Sequence, residues 1–242
     1  MAVQKVVMEL GDGLSAETAA WSFGGNTPQH FEDHVRRSVP HYDTGHELVL
    51  QLSDFFVRDG SVCYELGTST GLLTRRLAER HSKVRWIGID IEPAMIQQAQ
   101  AALARKDPGN VSFRVEDLSQ MEFEPADLVV AYYTIQFIPP RLRQEVINKI
   151  YRSLNWGGAF IQFEKVRGPD ARFQDILTGL YNDFKMSNGY GPAEIIGKSR
   201  SLRGVLEPFS TQGNLDLLKR AGFVDTMSIF KHLCFEGYVS IK

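Results

Sequence analysis

The stretch Glu65-Leu66-Gly67-Thr68-Ser69-Thr70-Gly71 constrains this chain more than any other. An apolar run at residues 61–66, SVCYEL, leads into it. A run at residues 71–81, with Leu72, Leu73, Leu77 and Ala78 at helical spacing, leaves it. A strand that reverses through a glycine turn straight into a helix opens a βαβ unit. Gly67 permits a tight turn and close approach of backbone to a ligand, and Gly71 lets the helix pack on the strand. The middle glycine of the usual G-x-G-x-G spacing is Ser69 here.

The alternation continues downstream. Strand-like runs at 84–89, 111–115, 127–132 and 159–163 alternate with helical runs at 94–105 and 141–154. Pro93 stands where a first helical turn tolerates proline, and Asn155 and Gly157 are expected to close the 141–154 helix. This pattern predicts an α/β fold with a mostly parallel, Rossmann-like sheet. The chain end departs from it: a helix at 211–221, then strands at 223–230 and 234–241, form an antiparallel hairpin at the sheet edge. Ahead of the first strand, residues 28–38 and 44–57 read as helices. His30, Phe31, His34 and Val35 mark the first, and Leu48, Leu52, Phe55 and Phe56 the second. The Gly-rich residues before them are expected to wrap loosely. Residues 167–210 read as a helical insertion after the fifth strand, with helices at 170–186 and 193–205. The expected organisation is one domain over 1–242, with an N-terminal helical cap at 1–58 and the insertion at 167–210. That insertion falls near the carboxyl ends of the strands, where ligands bind in such sheets.

Two further acids extend the turn into a nucleoside site. Asp90 ends the second strand about twenty residues after the turn, where a carboxylate accepts hydrogen bonds from ribose hydroxyls. It also suits capping of the next helix. Asp117 and Leu118 follow the third strand, where a carboxylate and a backbone N–H read an adenine edge; a turn role for Asp117 stands beside that. The turn lacks the G-x-G-x-x-G spacing that seats a pyrophosphate, so a nucleoside with an amino-acid tail fits better than a dinucleotide.

Composition narrows the partners. A net charge of −2 without a basic stripe argues against a nucleic-acid partner, and no apolar run approaches a membrane span. The N-terminal MAVQKVVMELGDG lacks a secretory h-region. Cys63 and Cys234 lie in apolar runs that read as buried strands, so reduced core thiols and a cytoplasmic location are expected.

ELGTSTG, GIDIEPAMI, VEDL and the terminal helix–strand–strand arrangement resemble the class I S-adenosylmethionine-dependent methyltransferase family. RSVPHY, YYTIQFIPP, KIYRSLNWGGAF, DFKMSNGY and EIIGKSRSL resemble, more closely, the carboxy-S-adenosylmethionine synthases. Those enzymes convert S-adenosylmethionine and prephenate into carboxy-S-adenosylmethionine for tRNA wobble-uridine modification. The likeness spans roughly residues 30 to 225. It implies a class I methyltransferase sheet, a homodimer, and cofactor contacts from Tyr42, Glu65, Gly67, Thr68, Ser69, Asp90, Ile91, Asp117, Leu118 and the residue at Tyr132. Two positions depart from the family pattern. Tyr132 replaces an asparagine, and Ser199 replaces an arginine that holds the extra carboxylate of the carboxylated cofactor. Arg200 and Arg203 are the nearby candidates for that carboxylate, although one residue along a helix is about a hundred degrees of rotation.

The leading expectation is therefore methyl transfer from S-adenosylmethionine to a small molecule, leaving S-adenosylhomocysteine. Carboxy-S-adenosylmethionine synthesis is the alternative, and a non-catalytic binding module the third reading. Methyl transfer asks a protein mainly for alignment, and for a base only when the acceptor must lose a proton. Tyr42, Tyr132, Tyr133 and Trp21 are candidate aromatic faces for the sulfonium. His41 and His46 are candidate bases, with Tyr132 and Tyr133 as further catalytic candidates. His30 and His34 share a helix face, but no third ligand accompanies them, so no metal is expected. Phe184, Tyr181 and Tyr190 of the insertion suit a small core or a dimer contact, or else a cover for the acceptor.

Overall fold

Side-chain alternation along the strands decides the layers. The structure, a computed structural model, describes residues 7–25 and 27–242. In β3 (Val62–Leu66), Tyr64 and Leu66 point one way, joining Ile87 and Ile89 of β4 (Arg85–Asp90). They pack with Val146, Ile147 and Ile150 of α5 (Pro140–Ser153) and Leu217 and Leu218 of α8 (Thr211–Ala221). Cys63 points the other way with Trp86, against Val49 and Leu50 of α2 (Tyr42–Ser53) and Leu73 and Leu77 of α3 (Leu72–Arg80). Period-two strands thus meet helices on both faces, as a doubly wound sheet requires.

Seven strands run in the order β5-β4-β3-β6-β7-β9-β8. Here β5 is Val111–Val115, β6 Ala126–Tyr132, β7 Leu154–Lys165, β8 Asp225–His232 and β9 Phe235–Ile241. Strands β3 to β7 are parallel, whereas β9 lies antiparallel to both β7 and β8. The chain winds outward in opposite directions from β3 and β6, so the crevice at their carboxyl ends is the switch point where ligands bind. Helix α4 (Pro93–Arg105) begins on the expected proline.

Several boundaries differ from the sequence reading. Helix α2 ends at Ser53, whose hydroxyl bonds the Leu50 carbonyl at 2.6 Å, and Phe55 beyond it is 81% exposed rather than on an apolar helix face. Helix α5 passes directly into β7, which starts at Leu154 paired with Ala126 across a bulge; Gly157 lies within that strand instead of closing the helix. The hairpin strand β8 starts two residues later than expected, and Cys234 sits in the turn, buried but outside any strand. Both cysteines are free thiols.

Residues 7–25 are not loosely wrapped, while residues 1–6 of that expectation lie outside the described residues. β1 (Met8–Glu9) and β2 (Ser15–Ala16) pair, and Leu10, Leu14 and Trp21 form a small buried cluster. That cluster packs on the insertion, which holds α6 (Ala171–Ser187) and α7 (Pro192–Ser201). A side chain at Gly197 of α7 would strike the Glu9 carbonyl, so β1 lies directly on that helix. Helix α7 stops short of residue 205 because the Ser201 hydroxyl bonds the Lys198 carbonyl and Gly204 follows at φ 72°. The remaining cap helix is α1 (Thr27–Ser38). Among the described residues, no helix is long and apolar enough to cross a membrane.

Candidate functional site

The turn after β3 places Gly67, Ser69 and Gly71 at φ 68°, 51° and 73°. Alternate left-handed residues turn successive amides toward one side. Ser69 therefore takes the conformation that glycine holds in the usual pattern, and its amide donates to Asp90 Oδ2 at 2.9 Å. A Cβ at Gly67 would run into the Thr134 side chain, so the close passage of this backbone demands glycine. Beneath it, Glu65 is buried and accepts hydrogen bonds from the Thr68 and Thr74 hydroxyls. Burial pushes its carboxyl up to about 7, against the opposing pull of those hydroxyls.

Asp90 ties the glycine turn to the loop that leads into α4. Oδ1 accepts the Glu92 amide at 2.9 Å, capping the approach to α4, while Oδ2 ties down the turn. Burial raises its carboxyl above the usual range. A carboxylate has about four acceptor sites, so acceptor capacity remains beyond the Ser69, Ile91 and Glu92 amides. Ile91 next to it is 66% exposed, and Leu118 is buried. Asp117 is exposed and accepts the Ser119 amide at 2.8 Å, which is its turn role. Asp90, Ile91, Asp117, Leu118, Gly67, Thr68 and Ser69 all line one cavity of about 1090 Å³. Glycine cradle, spare acceptors and adjacent apolar side chains fit a nucleoside with an amino-acid tail.

Past the turn the cavity becomes aromatic. Tyr132 ends β6 with its hydroxyl donating to the Tyr42 carbonyl at 2.7 Å, and a Cβ at Gly45 of α2 would collide with that hydroxyl. Its ring contacts Tyr42, His46, Tyr133 and Phe163 at centroid distances of 4.7–5.3 Å. Tyr133 has φ 61°, a backbone region costly for a bulky residue and concentrated at functional sites. His46 lines the cavity, fully buried, with Nδ1 lacking any partner. Burial, and secondarily the Arg76 charge, drive it down to about 3, so the imidazole is neutral.

The other candidates divide. His41 is exposed and its ring meets His232 at 4.5 Å, outside the residues lining the cavity; this corrects the expectation of a substrate-facing His41. The chain reversal into α2 at φ 56° turns it outward. Trp21 lines the cavity but packs on Phe23 and His34 rather than with the tyrosines. His30 is exposed, while His34 Nδ1 lies 2.7 Å from Asp12 Oδ2. Tyr190 and Arg37 also bond Asp12, locking cap to insertion. Tyr181 and Tyr190 face the cavity; Phe184 stacks behind Tyr181. Arg200 and Arg203 are exposed at the cavity rim, and neither forms an ion pair among the described residues. Sequence reasoning missed Lys165, Lys185 and Lys198, which also line the cavity. No motif or spacing marks them, because they converge from β7, α6 and α7 only in the fold.

Residues 64–158 match the family model described as "Methyltransferase domain". Carboxy-S-adenosyl-L-methionine synthase of Staphylococcus epidermidis is 36% identical over 92% of this chain and 97% of its own length. The Campylobacter lari enzyme of the same name is 35% identical over 92% and 94%. Among solved structures, human N-acetylserotonin methyltransferase in complex with SAM aligns with a TM-score of 0.61 at 16% identity, over 90% of this chain and 56% of that one. An O-methyltransferase family protein from Burkholderia thailandensis aligns at 0.64 with 19% identity, over 89% and 59%. The structural likenesses establish the Rossmann-like methyltransferase fold. The relatives, matched along almost their whole length at 35–36% identity, settle the kinship: the chain belongs to the carboxy-S-adenosyl-L-methionine synthase family and is an S-adenosylmethionine-dependent transferase.

Proposed function

We propose that this chain transfers a methyl group from S-adenosylmethionine to a small-molecule acceptor held between the cap and the insertion. One observation carries the reading. The cavity of about 1090 Å³ runs from the nucleoside residues past the tyrosines to α6 and α7. That exceeds the ~300–1,000 Å³ typical of a pocket for one small ligand, leaving room for a second molecule. The bound cofactor supplies an electrophilic carbon on a sulfonium. The chain's own residues do the rest. Asp90 and Asp117 orient the nucleoside, and Tyr42, Tyr132 and Tyr133 offer ring faces and exclude water. Neutral His46, with its unpartnered Nδ1, offers a hydrogen bond to the acceptor and helps to orient it.

Carboxy-S-adenosylmethionine synthesis is the second reading, favoured by the names of the relatives and by Arg200 and Arg203 at the cavity rim. Against it stands Ser199, uncharged where the resembling family places its carboxylate-holding arginine; a serine lacks the bidentate fork. Mass spectrometry of ligand released from the purified protein separates them. S-adenosylhomocysteine supports methyl transfer, and a carboxylated sulfonium overturns it.

We also propose a homodimer through α6. Phe173, Ile176 and Leu180 share one face of that helix and are 51%, 55% and 47% exposed. Sedimentation should give twice the 27.3 kDa chain mass, and Ile176→Glu should return the monomer. A wild-type monomer would refute it. The free thiols of Cys63 and Cys234 suit a reducing compartment such as the cytoplasm; recovery in the membrane or secreted fraction would contradict that placement.

A further inference from the structure

The cavity contains two ammonium groups that lack an anion. Lys165 ends β7, and Lys185 lies in the last turn of α6. Both press on the same ring, with Nζ 4.3 and 4.4 Å from the centroid of Tyr181. That ring is fixed by its hydroxyl, which donates to the Ser38 carbonyl at 2.8 Å, and by an edge contact with Phe235 at 5.3 Å. Neither lysine forms an ion pair among the described residues, although surface lysines and arginines elsewhere in the molecule find carboxylates readily. The carboxylates of the insertion that line the cavity are already engaged. Glu194 accepts the Gly191 amide, and Glu207 accepts the Gly204 amide and pairs with Arg167. The other charged or titratable neighbours are Arg167, which already pairs with Glu207, Lys198, a further cation on the cavity wall, and Cys234, whose thiol burial holds in the neutral form.

Two like charges held on one ring, partly removed from water and without a counter-ion, are unfavourable. Burial lowers both amines, and for Lys185, brought down to about 8, the charge of Lys165 adds to the effect. A pair of this kind is stabilised by whatever anion enters the cavity. Its position says which molecule brings that anion. Lys165 follows Phe163, which pairs with Tyr132 across β6 and β7, so the lysines stand beyond the tyrosines from the turn and Asp90. We propose that Lys165 and Lys185 together bind an oxyanion, a carboxylate or phosphate, of the second substrate and thereby orient it toward the cofactor. This rests on the reading of the turn and Asp90 as the cofactor half.

The test uses the full chain loaded with S-adenosylhomocysteine and three probes: benzoate, its neutral counterpart benzamide, and inorganic phosphate. The rate at which Lys185 is acylated by a small electrophile is read by mass spectrometry. Benzoate or phosphate should slow it by about tenfold, since charge-assisted contacts are the strong ones, whereas benzamide should leave it unchanged. The anion that protects at lower concentration identifies carboxylate or phosphate. Lys165→Met should abolish protection, and Lys165→Gln repeats the test should the first variant fold poorly. Equal protection by benzamide, or none by either anion, overturns the proposal. Affinity for S-adenosylhomocysteine should stay unchanged in Lys165→Met and Lys185→Met. A parallel loss there would assign the pair to the cofactor's own carboxylate and overturn the proposal, leaving the methyltransferase reading intact. Failure of the wild type to bind S-adenosylhomocysteine would instead sink that reading and the proposal with it.

Discussion

The two halves of the cavity are built in opposite ways. The cofactor half uses backbone amides and carboxylates from short loops at the ends of β3, β4 and β5, each placed by its own strand. The far half uses cations and aromatic rings from the cap, β7 and the insertion, brought together by contacts between residues more than a hundred positions apart, such as Arg37 with Asn188 and Tyr181 with Ser38. The first half is acidic and locally determined; the second is basic and exists only in the assembled fold. A cationic, nucleoside-bearing cofactor suits the first, and an anionic partner suits the second, so the two molecules are sorted by charge before they meet.

The comparison is broken most severely at the turn. Gly67→Ala places a side chain into Thr134 and forces a left-handed alanine. We expect a loss of about 3 kcal/mol in unfolding free energy, from backbone strain together with overpacking, and no measurable S-adenosylhomocysteine binding by calorimetry. Retained binding would mean that the turn does not shape the cofactor half. Asp90→Ala comes next. Affinity for S-adenosylhomocysteine should weaken by roughly 1–3 kcal/mol, the cost of leaving polar partners unpaired. Unchanged affinity refutes its assignment to the ribose. Tyr132→Phe is the mildest. It removes the bond to the Tyr42 carbonyl and should cost about 1 kcal/mol of stability in thermal unfolding. Because that hydroxyl is already engaged within the protein, cofactor affinity should hold. A large drop would place the hydroxyl on the ligand and move Tyr132 into the cofactor half.

The legibility of each half follows from the same contrast. The turn, Asp90 and Asp117 could be found in the sequence because a parallel sheet repeats one geometry, strand then loop then helix, and the chemistry sits at a fixed offset in each unit. Even the replacement of the middle glycine did not hide it, since Ser69 adopts the left-handed conformation under the hold of Asp90. By contrast, His41 and His46 looked equivalent along the chain. A single left-handed residue at the start of α2 sends one to the surface and the next turn of helix buries the other. Phe55 looked like a core residue by its spacing, yet helix α2 ends before reaching it.

Hydrophobic periodicity and glycine conformations act over a few residues, so the parallel sheet, the antiparallel hairpin at its edge and the loops that line one end of the cavity were legible in the sequence. It took the tertiary structure to show that β1 and β2 form a packed ladder on α7, that β9 rather than β8 pairs with β7, and that Lys165 and Lys185 share one tyrosine ring. Those outcomes depend on which surfaces meet across long stretches of chain. Burial and charge there are properties of the assembled cavity, and no local pattern encodes them.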